Sequence, residues 1–588
     1  MTRVASCAFR CLTHPLTAAF GFGLLLWLVL PWMVVTMDDD FGYLRSVVET
    51  CQRGRPWTYE WLTPWAASMS VFTALWFKLT GSFSFAVHFS LALSAALGFL
   101  GLSSLLKEHG VSAAKSCFVS LLILCSPTVL FMSVMFTSVA LYLGCFWLCL
   151  WMYHRKQWGW FFLFWFVAFS SRQSAIVWLA LPGWTMLVNL WKTKALLPRE
   201  SSAWSPLLVI AGGGLALLLL KTGMNPTYGQ AIVSSATKGF HPHGISIGLS
   251  LLALAAGYGW SGFAALFYDE QARGQALQNL RSLWRWVALI FVCGAGYQGA
   301  QWFQQVTESS HSAYGDVWAA SWFGLLGITA GLGIVLRPVL PRLDMLGAGL
   351  GATALLALYG GVFDYYYIDG FFWGFASALI PVLKPAPSAK SWSLRIVHAG
   401  VLAVMGLFFL WDARCYLLQK YELDRTAAVN VIYEQALRAG KFKPHEVGLS
   451  TFGYVGWRFE RYFHTHEGRD STDLAGSMKV TDGWNGKEGM AVITEFPKSL
   501  SPYKTFLRSH NNSFLRKSPE AITLAELKAP LLWFYEGSYT LKKMPGPVSR
   551  EGKVLINYEE YGDRPFPLND REWRQLINTG VESFSSAP

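Results

Sequence analysis

From Leu12 to Trp411 the chain consists mostly of apolar runs near bilayer-crossing length, separated by short polar loops. A helix needs about 20 apolar residues to cross a hydrocarbon core, where lipid offers no partner to an unpaired backbone group. The runs lie near Leu12–Val35, Phe85–Leu106, Ser116–Phe136, Ser138–Tyr153, Trp158–Ser170, Ala175–Trp191 and Ser205–Leu220. They continue near Ile245–Tyr268, Leu283–Phe303, Ala319–Leu336, Met345–Val362, Phe371–Leu383 and Leu394–Trp411. The pattern predicts a polytopic α-helical membrane protein with about 13 transmembrane helices. Only 14% of the 588 residues are charged, against about a quarter in soluble domains, and the deficit is concentrated in these runs.

The net charge of +12 does not point to nucleic acid, because the basic residues fall in small clusters between runs. Counted alternately from a cytoplasmic N-terminus, the inner loops hold Lys107 and Lys115; Arg155 and Lys156; Lys192, Lys194 and Arg199. Later inner loops hold Arg273 and Arg281; Arg337 and Arg342; Lys384, Lys390 and Arg395, while most outer loops are poor in Lys and Arg. The positive-inside rule therefore puts the segment after Trp411 outside the cytoplasm. Arg3 and Arg10 precede the first run as in a signal peptide, but its near-spanning length and the lack of a small-x-small site before Asp38 predict an uncleaved span.

Two domains follow, a transmembrane domain over 1–411 and an extracytoplasmic soluble domain over 412–588. In the latter, Arg425–Ala439 has helical amphipathicity, and Met490–Phe496, Leu531–Tyr535 and Val554–Tyr558 alternate like strands, which predicts an α+β fold. None of the nine cysteines lies beyond Cys415, so this domain has no disulfide framework. The first outer loop, 37–80, carries Trp57, Trp61, Trp65 and Trp76, which predict helices lying in the interface.

That loop opens with Asp38-Asp39-Asp40-Phe41-Gly42-Tyr43. Carboxylates at the mouth of a span are costly beside lipid and are functional candidates for that reason. One can accept a proton while a neighbour orients it or holds a cation; a solvated acidic loop is an equally good reading of the residue types. No metal-ligand pattern is evident and no cofactor is required, although a divalent cation is compatible with the acidic run. His241 and His243 and the Glu308–His311–Asp316 group are weaker candidates, best read as loop residues, and Asn511-Asn512-Ser513 is a glycosylation sequon only in a host that glycosylates such sites.

Order and spacing in the first third of the chain resemble the GT-C superfamily of membrane glycosyltransferases, family-39 type, which includes protein O-mannosyltransferases and the lipid A aminoarabinose transferase. Asp39-Asp40-Phe41-Gly42-Tyr43-Leu44 resembles their acidic pair followed by Tyr. Leu62-Thr63-Pro64-Trp65 and Phe77-Lys78-Leu79-Thr80-Gly81 resemble their proline-led interfacial helix and glycine turn. Phe85-Ala86-Val87-His88-Phe89-Ser90 is similar to the start of their second span, with His88 where relatives usually carry Arg. Ser126-Pro127-Thr128 is similar to their Ser-Pro step, and Ser170-Ser171-Arg172-Gln173-Ser174 stands where they carry Thr-Lys.

The resemblance implies transfer of a sugar from a polyprenyl-phosphate donor to a glycan, lipid or protein acceptor at the outer face of a bacterial inner membrane. It makes Asp39 the general base and Asp40 its neighbour, with Arg172 and His88 on the donor phosphate and Tyr43 and Asp38 beside the substrates. A transporter or flippase of lipid-linked sugars is the alternative, though the inverted repeats and mid-membrane charges of that class are not evident. An inactive GT-C-like scaffold is a further alternative, because Thr137-Ser138-Val139 supplies no acid in the second outer loop. A reporter fused after Pro588 is expected to be active only if its type functions outside the cytoplasm; activity of a cytoplasm-dependent reporter there would overturn the span count.

Overall fold

The computed structural model describes residues 13–35, 40–58, 67–125, 127–193, 209–214, 286, 392–441, 448–449, 489–495, 521–533, 535–544 and 566–579. Apart from Trp286, the predicted spans between Ile245 and Leu383 lie outside the described residues, as does the strand predicted at Val554–Tyr558. The described part is helix-rich, with a small sheet near the C-terminus.

Helix α1, Pro15–Val29, starts with proline at its first turn and stops at Leu30, which is extended ahead of Pro31. Two helices follow in the first loop, α2 (Asp40–Arg53) and α3 (Ala67–Thr80). Helix α4, Phe83–Glu108, is capped by the Ser82 hydroxyl accepting from the Phe85 N–H at 3.2 Å. Its 26 residues and hydropathy make it long and apolar enough to cross a membrane. At 1.5 Å per residue it is about 39 Å long, against a hydrocarbon core of about 30 Å.

The run Ser116–Phe136, expected as one span, is divided into α5 (Ala113–Leu124) and α6 (Pro127–Val134). Pro127 has no N–H and disfavours helical backbone in the residue before it, so the break falls there. Helices α7 (Ser138–His154) and α8 (Trp158–Phe169) are continuous. The next run begins as a 3₁₀ helix at Gln173–Leu179 before α9, Ala180–Thr193. α1, α5, α7, α8 and the segment Ser174–Val188 are apolar but shorter than α4.

The close packing of α4 and α7 needs small residues. A Cβ at Gly144 would collide with the Ser94 carbonyl oxygen, and one at Gly101 with the Trp147 and Leu148 backbone. Such contact packs the helices side by side and parallel. At one end Glu108 accepts from Trp151 Nε1 at 2.8 Å and pairs with Arg155 at 3.4 Å. The opposite end holds Ser82 and Ser138.

Helix α10 runs unbroken over 47 residues from Trp392 to Arg438, so the boundary expected after Trp411 falls inside one helix. From Leu407 to Ala439 the sequence contains neither Gly nor Pro, and nothing local stops the helix at Trp411. The sheet has the order β1-β2-β4-β3, with β1 Gly448–Leu449, β2 Gly489–Glu495, β3 Ile522–Leu531 and β4 Tyr535–Met544. β1 pairs with β2 in parallel, and the other pairs are antiparallel. The strand expected at Met490–Phe496 is found as β2, whereas Leu531–Tyr535, expected as a strand, joins β3 to β4 as a turn. Leu532 and Trp533 have φ of 53° and 61° there, a strained conformation for residues with a Cβ.

Tertiary contacts hold that turn. The Leu532 N–H donates to Asp424 Oδ2 at 2.9 Å, and Trp533 Nε1 donates to the Leu28 carbonyl at 2.6 Å. Lys420 Nζ donates to Asp424 Oδ1 at 2.7 Å and to the Leu30 carbonyl at 3.0 Å. The end of α1, the middle of α10 and the β3–β4 turn therefore meet at a buried ion pair. Burial raises the Asp424 carboxyl above its ordinary range, outweighing the opposing effects of Lys420 and the Leu532 N–H. The pair thus costs desolvation, but removing one partner leaves the other charge buried. Asp424→Ala is expected to lower stability by about 3–5 kcal/mol, and adding Lys420→Met should recover most of that loss. Thermal unfolding of the purified variants measures both effects.

Candidate outer-loop site

Three predicted loops converge at the Ser82–Ser138 end of the bundle. The turn after α8 carries Ser170, Ser171 and Arg172, and its backbone closes through Arg172 N–H donating to the Ala168 carbonyl at 2.7 Å. Arg172 is extended and half-buried, directly before the 3₁₀ helix. The first loop reaches this turn where the Ser68 N–H donates to the Ser170 carbonyl at 3.3 Å and the two serine hydroxyls bond to each other. The second loop reaches the first through a 3.0 Å hydrogen bond between the Tyr43 and Ser138 hydroxyls.

Helix α7 connects these contacts. Thr137 caps it by accepting from the Val139 N–H at 3.3 Å, which leaves Ser138 in the first turn facing Tyr43. Tyr142, one turn further on, lies beneath Arg172, with the guanidinium carbon 5.9 Å from the ring centroid. The Ser174 hydroxyl donates to the Tyr142 oxygen at 3.4 Å. The structure thus joins two of the predicted site residues, Tyr43 and Arg172, through Ser138 and Tyr142.

The other predicted site residues are distributed differently. Asp40 is the first residue of α2, three positions before Tyr43, while Asp38 and Asp39 lie outside the described residues. His88 is buried in α4, edge-on to Trp27 at 6.0 Å, and lies within electrostatic reach of Lys420, Asp570 and the Met33 backbone. The described contacts give His88 and Arg172 different neighbours. His241, His243, Glu308, His311, Asp316 and Asn511 lie outside the described residues.

The C-terminal segment packs on the same end. Helix α11, Asp570–Thr579, is capped by Asn569 Oδ1 accepting from the Glu572 N–H at 3.0 Å. Asp570 Oδ1 accepts from the Ser84 N–H at 2.9 Å, and Oδ2 from the Ser82 hydroxyl. Burial works to raise the Asp570 carboxyl, but these hydrogen bonds hold it below the usual carboxylate range. Trp573 stacks on Phe83 at 4.2 Å, and Gln52 Nε2 donates to the Leu576 carbonyl at 2.9 Å. Within α2, Glu49 is buried and paired with Arg53 at 2.9 Å. The first-loop helix α2 is therefore clasped between the loop cluster and the C-terminal helix.

Chemically, this end combines a half-buried permanent cation, several hydroxyls and a helix that begins with a carboxylate residue. Ser138, Tyr142 and Ser174 were not singled out from residue type. The i, i+4 spacing of Ser138 and Tyr142 on one helix face was their only advance signal. No protein-family model and no curated protein matches the chain.

The Tyr43–Ser138 bond changes what Tyr43 is expected to do, since its hydroxyl is engaged by another loop. Tyr43→Phe and Ser138→Ala should each lower thermal stability by about 0.5–1.5 kcal/mol, with little further loss in the double variant. Additive losses in that cycle would show that the two hydroxyls act separately.

Proposed function

We propose that the chain is a GT-C-type polytopic glycosyltransferase of a bacterial inner membrane, with an N-terminus in the cytoplasm. It moves a sugar from a polyprenyl-phosphate donor to a glycan, lipid or protein acceptor on the extracytoplasmic face. One observation carries this reading: the helix that begins at Asp40 and the turn that carries Arg172 are bonded into one cluster through Tyr43–Ser138 and Tyr142. A carboxylate source and a permanent cation at one end of an apolar bundle suit transfer from a lipid phosphate.

In the proposed step the acceptor oxygen attacks the anomeric carbon as the bond from that carbon to the phosphate oxygen breaks. The electron pair leaves with the polyprenyl phosphate, and Arg172 offsets the charge that develops there. The acceptor proton passes to Asp39, while Asp40 orients that carboxylate or holds an optional divalent cation. The described apolar helices α1, α5, α6, α7 and α8 contain Lys115 as their only Asp, Glu, Lys or Arg, near the start of α5. That pattern favours interfacial chemistry over a transporter, which needs charged groups at mid-membrane.

Asp39→Asn keeps side-chain size while removing the base, so membrane insertion should survive. Transfer from polyprenyl-monophosphate sugars is expected to fall at least ~100-fold, with donor binding little changed and Asp38→Asn much milder. Near-normal transfer by the Asp39→Asn protein would remove the proposed base.

A further inference from the structure

Arg172 has a long side chain with many rotamers, and a cation that must meet a phosphate gains from being held in place beforehand. The turn holding its backbone is short and closed by hydrogen bonds from Ser171 and Arg172 to the Ala168 carbonyl at 3.0 and 2.7 Å. Beyond the backbone, Tyr142 meets the guanidinium at 5.9 Å, within the range in which a ring face attracts a cation.

The Tyr142 ring is itself held in place. Its side chain is fully buried, packed against Trp178 at 5.0 Å, and Trp178 in turn meets Phe146 edge-on at 5.2 Å. Ser174, two residues after Arg172, donates to the Tyr142 oxygen at 3.4 Å. The preceding turn of α7 presents Ser138 to Tyr43, so one helix face touches both the Arg172 turn and the helix that begins at Asp40.

We propose that Tyr142 is a positioning residue whose ring face holds the Arg172 guanidinium where it captures the donor phosphate. This rests on the donor role given to Arg172 above. Tyr142 acts through the cation, so its effect depends on the charge distribution of its ring and disappears when Arg172 is absent. A ring serving only as core would depend on shape and hydrophobicity alone.

The test uses the full chain in lipid nanodiscs and a polyprenyl monophosphate as the probe. Tyr142 is replaced by phenylalanine, then by 4-fluoro-, 3,5-difluoro- and pentafluorophenylalanine, which progressively remove negative potential from the ring face at nearly constant shape. Tyr142→Phe should bind within about twofold of the parent, and affinity should fall stepwise to a loss of about three- to tenfold in the pentafluoro protein. In an Arg172→Ala background the series should be flat. Equal affinity across the fluorinated series, with Arg172→Ala still weak, would overturn the role of Tyr142 while leaving the donor reading intact. Normal binding by Arg172→Ala would overturn both. The monofluoro member differs least from phenylalanine and decides the trend if the pentafluoro protein does not fold.

Discussion

The approach of α4 and α7 at Gly101 and Gly144 sets the geometry on which the loop cluster depends. Small residues let two apolar helices bring their backbones together, and that tight contact fixes how they sit against each other. A Cβ at either position would push the helices apart. With the backbones this close, the axial register is constrained. The Ser138 end of α7 is then presented to the first loop, while Glu108 and Arg155 pair at the far end. The join between Tyr43 and the Arg172 platform follows from that register, because Ser138 and Tyr142 occupy the first and second turns of α7.

A second junction ties the C-terminal part of the chain to this end. The β3–β4 turn adopts backbone angles that Leu and Trp resist, and it does so because Asp424 and the Leu28 carbonyl take its polar groups. Lys420 then links the same helix to the Leu30 carbonyl at the end of α1. Helix α11 contributes Asp570 and Trp573 to the start of α4 and accepts from Gln52 of α2. The segments flanking the acidic run, α1 on one side and α2 on the other, are each anchored to the C-terminal part of the chain. Its packing therefore bears on the site through the position of the first-loop helix.

The readable and unreadable parts of the fold divide along physical lines. Hydropathy located α4 to within a few residues, since apolar length is a local property of the chain. The break at Pro127 was local as well, but an apolar count passes over it because proline ends a helix without interrupting hydrophobicity. Leu531–Tyr535 has the composition of a strand, and its turn lacks the Gly or Asn that normally marks positive φ. Only contacts with α10 and α1 explain why the chain reverses there.

Read alone, the residues establish that apolar segments dominate the chain, that an acidic run follows the first of them, and that Arg172 closes a later one. Residue type and spacing carry that information. Tertiary structure decided which of these groups meet. Tyr43 and Ser138 are 95 positions apart and bond only because α7 is packed in one register, and Asp424 reaches Leu532 across 108 positions. His88 lies edge-on to Trp27, because the face an α4 residue presents is set by its neighbouring helices. A hydrogen bond between distant hydroxyls leaves no periodic trace in a sequence, since its partners are brought together by the packing of segments that share no local pattern.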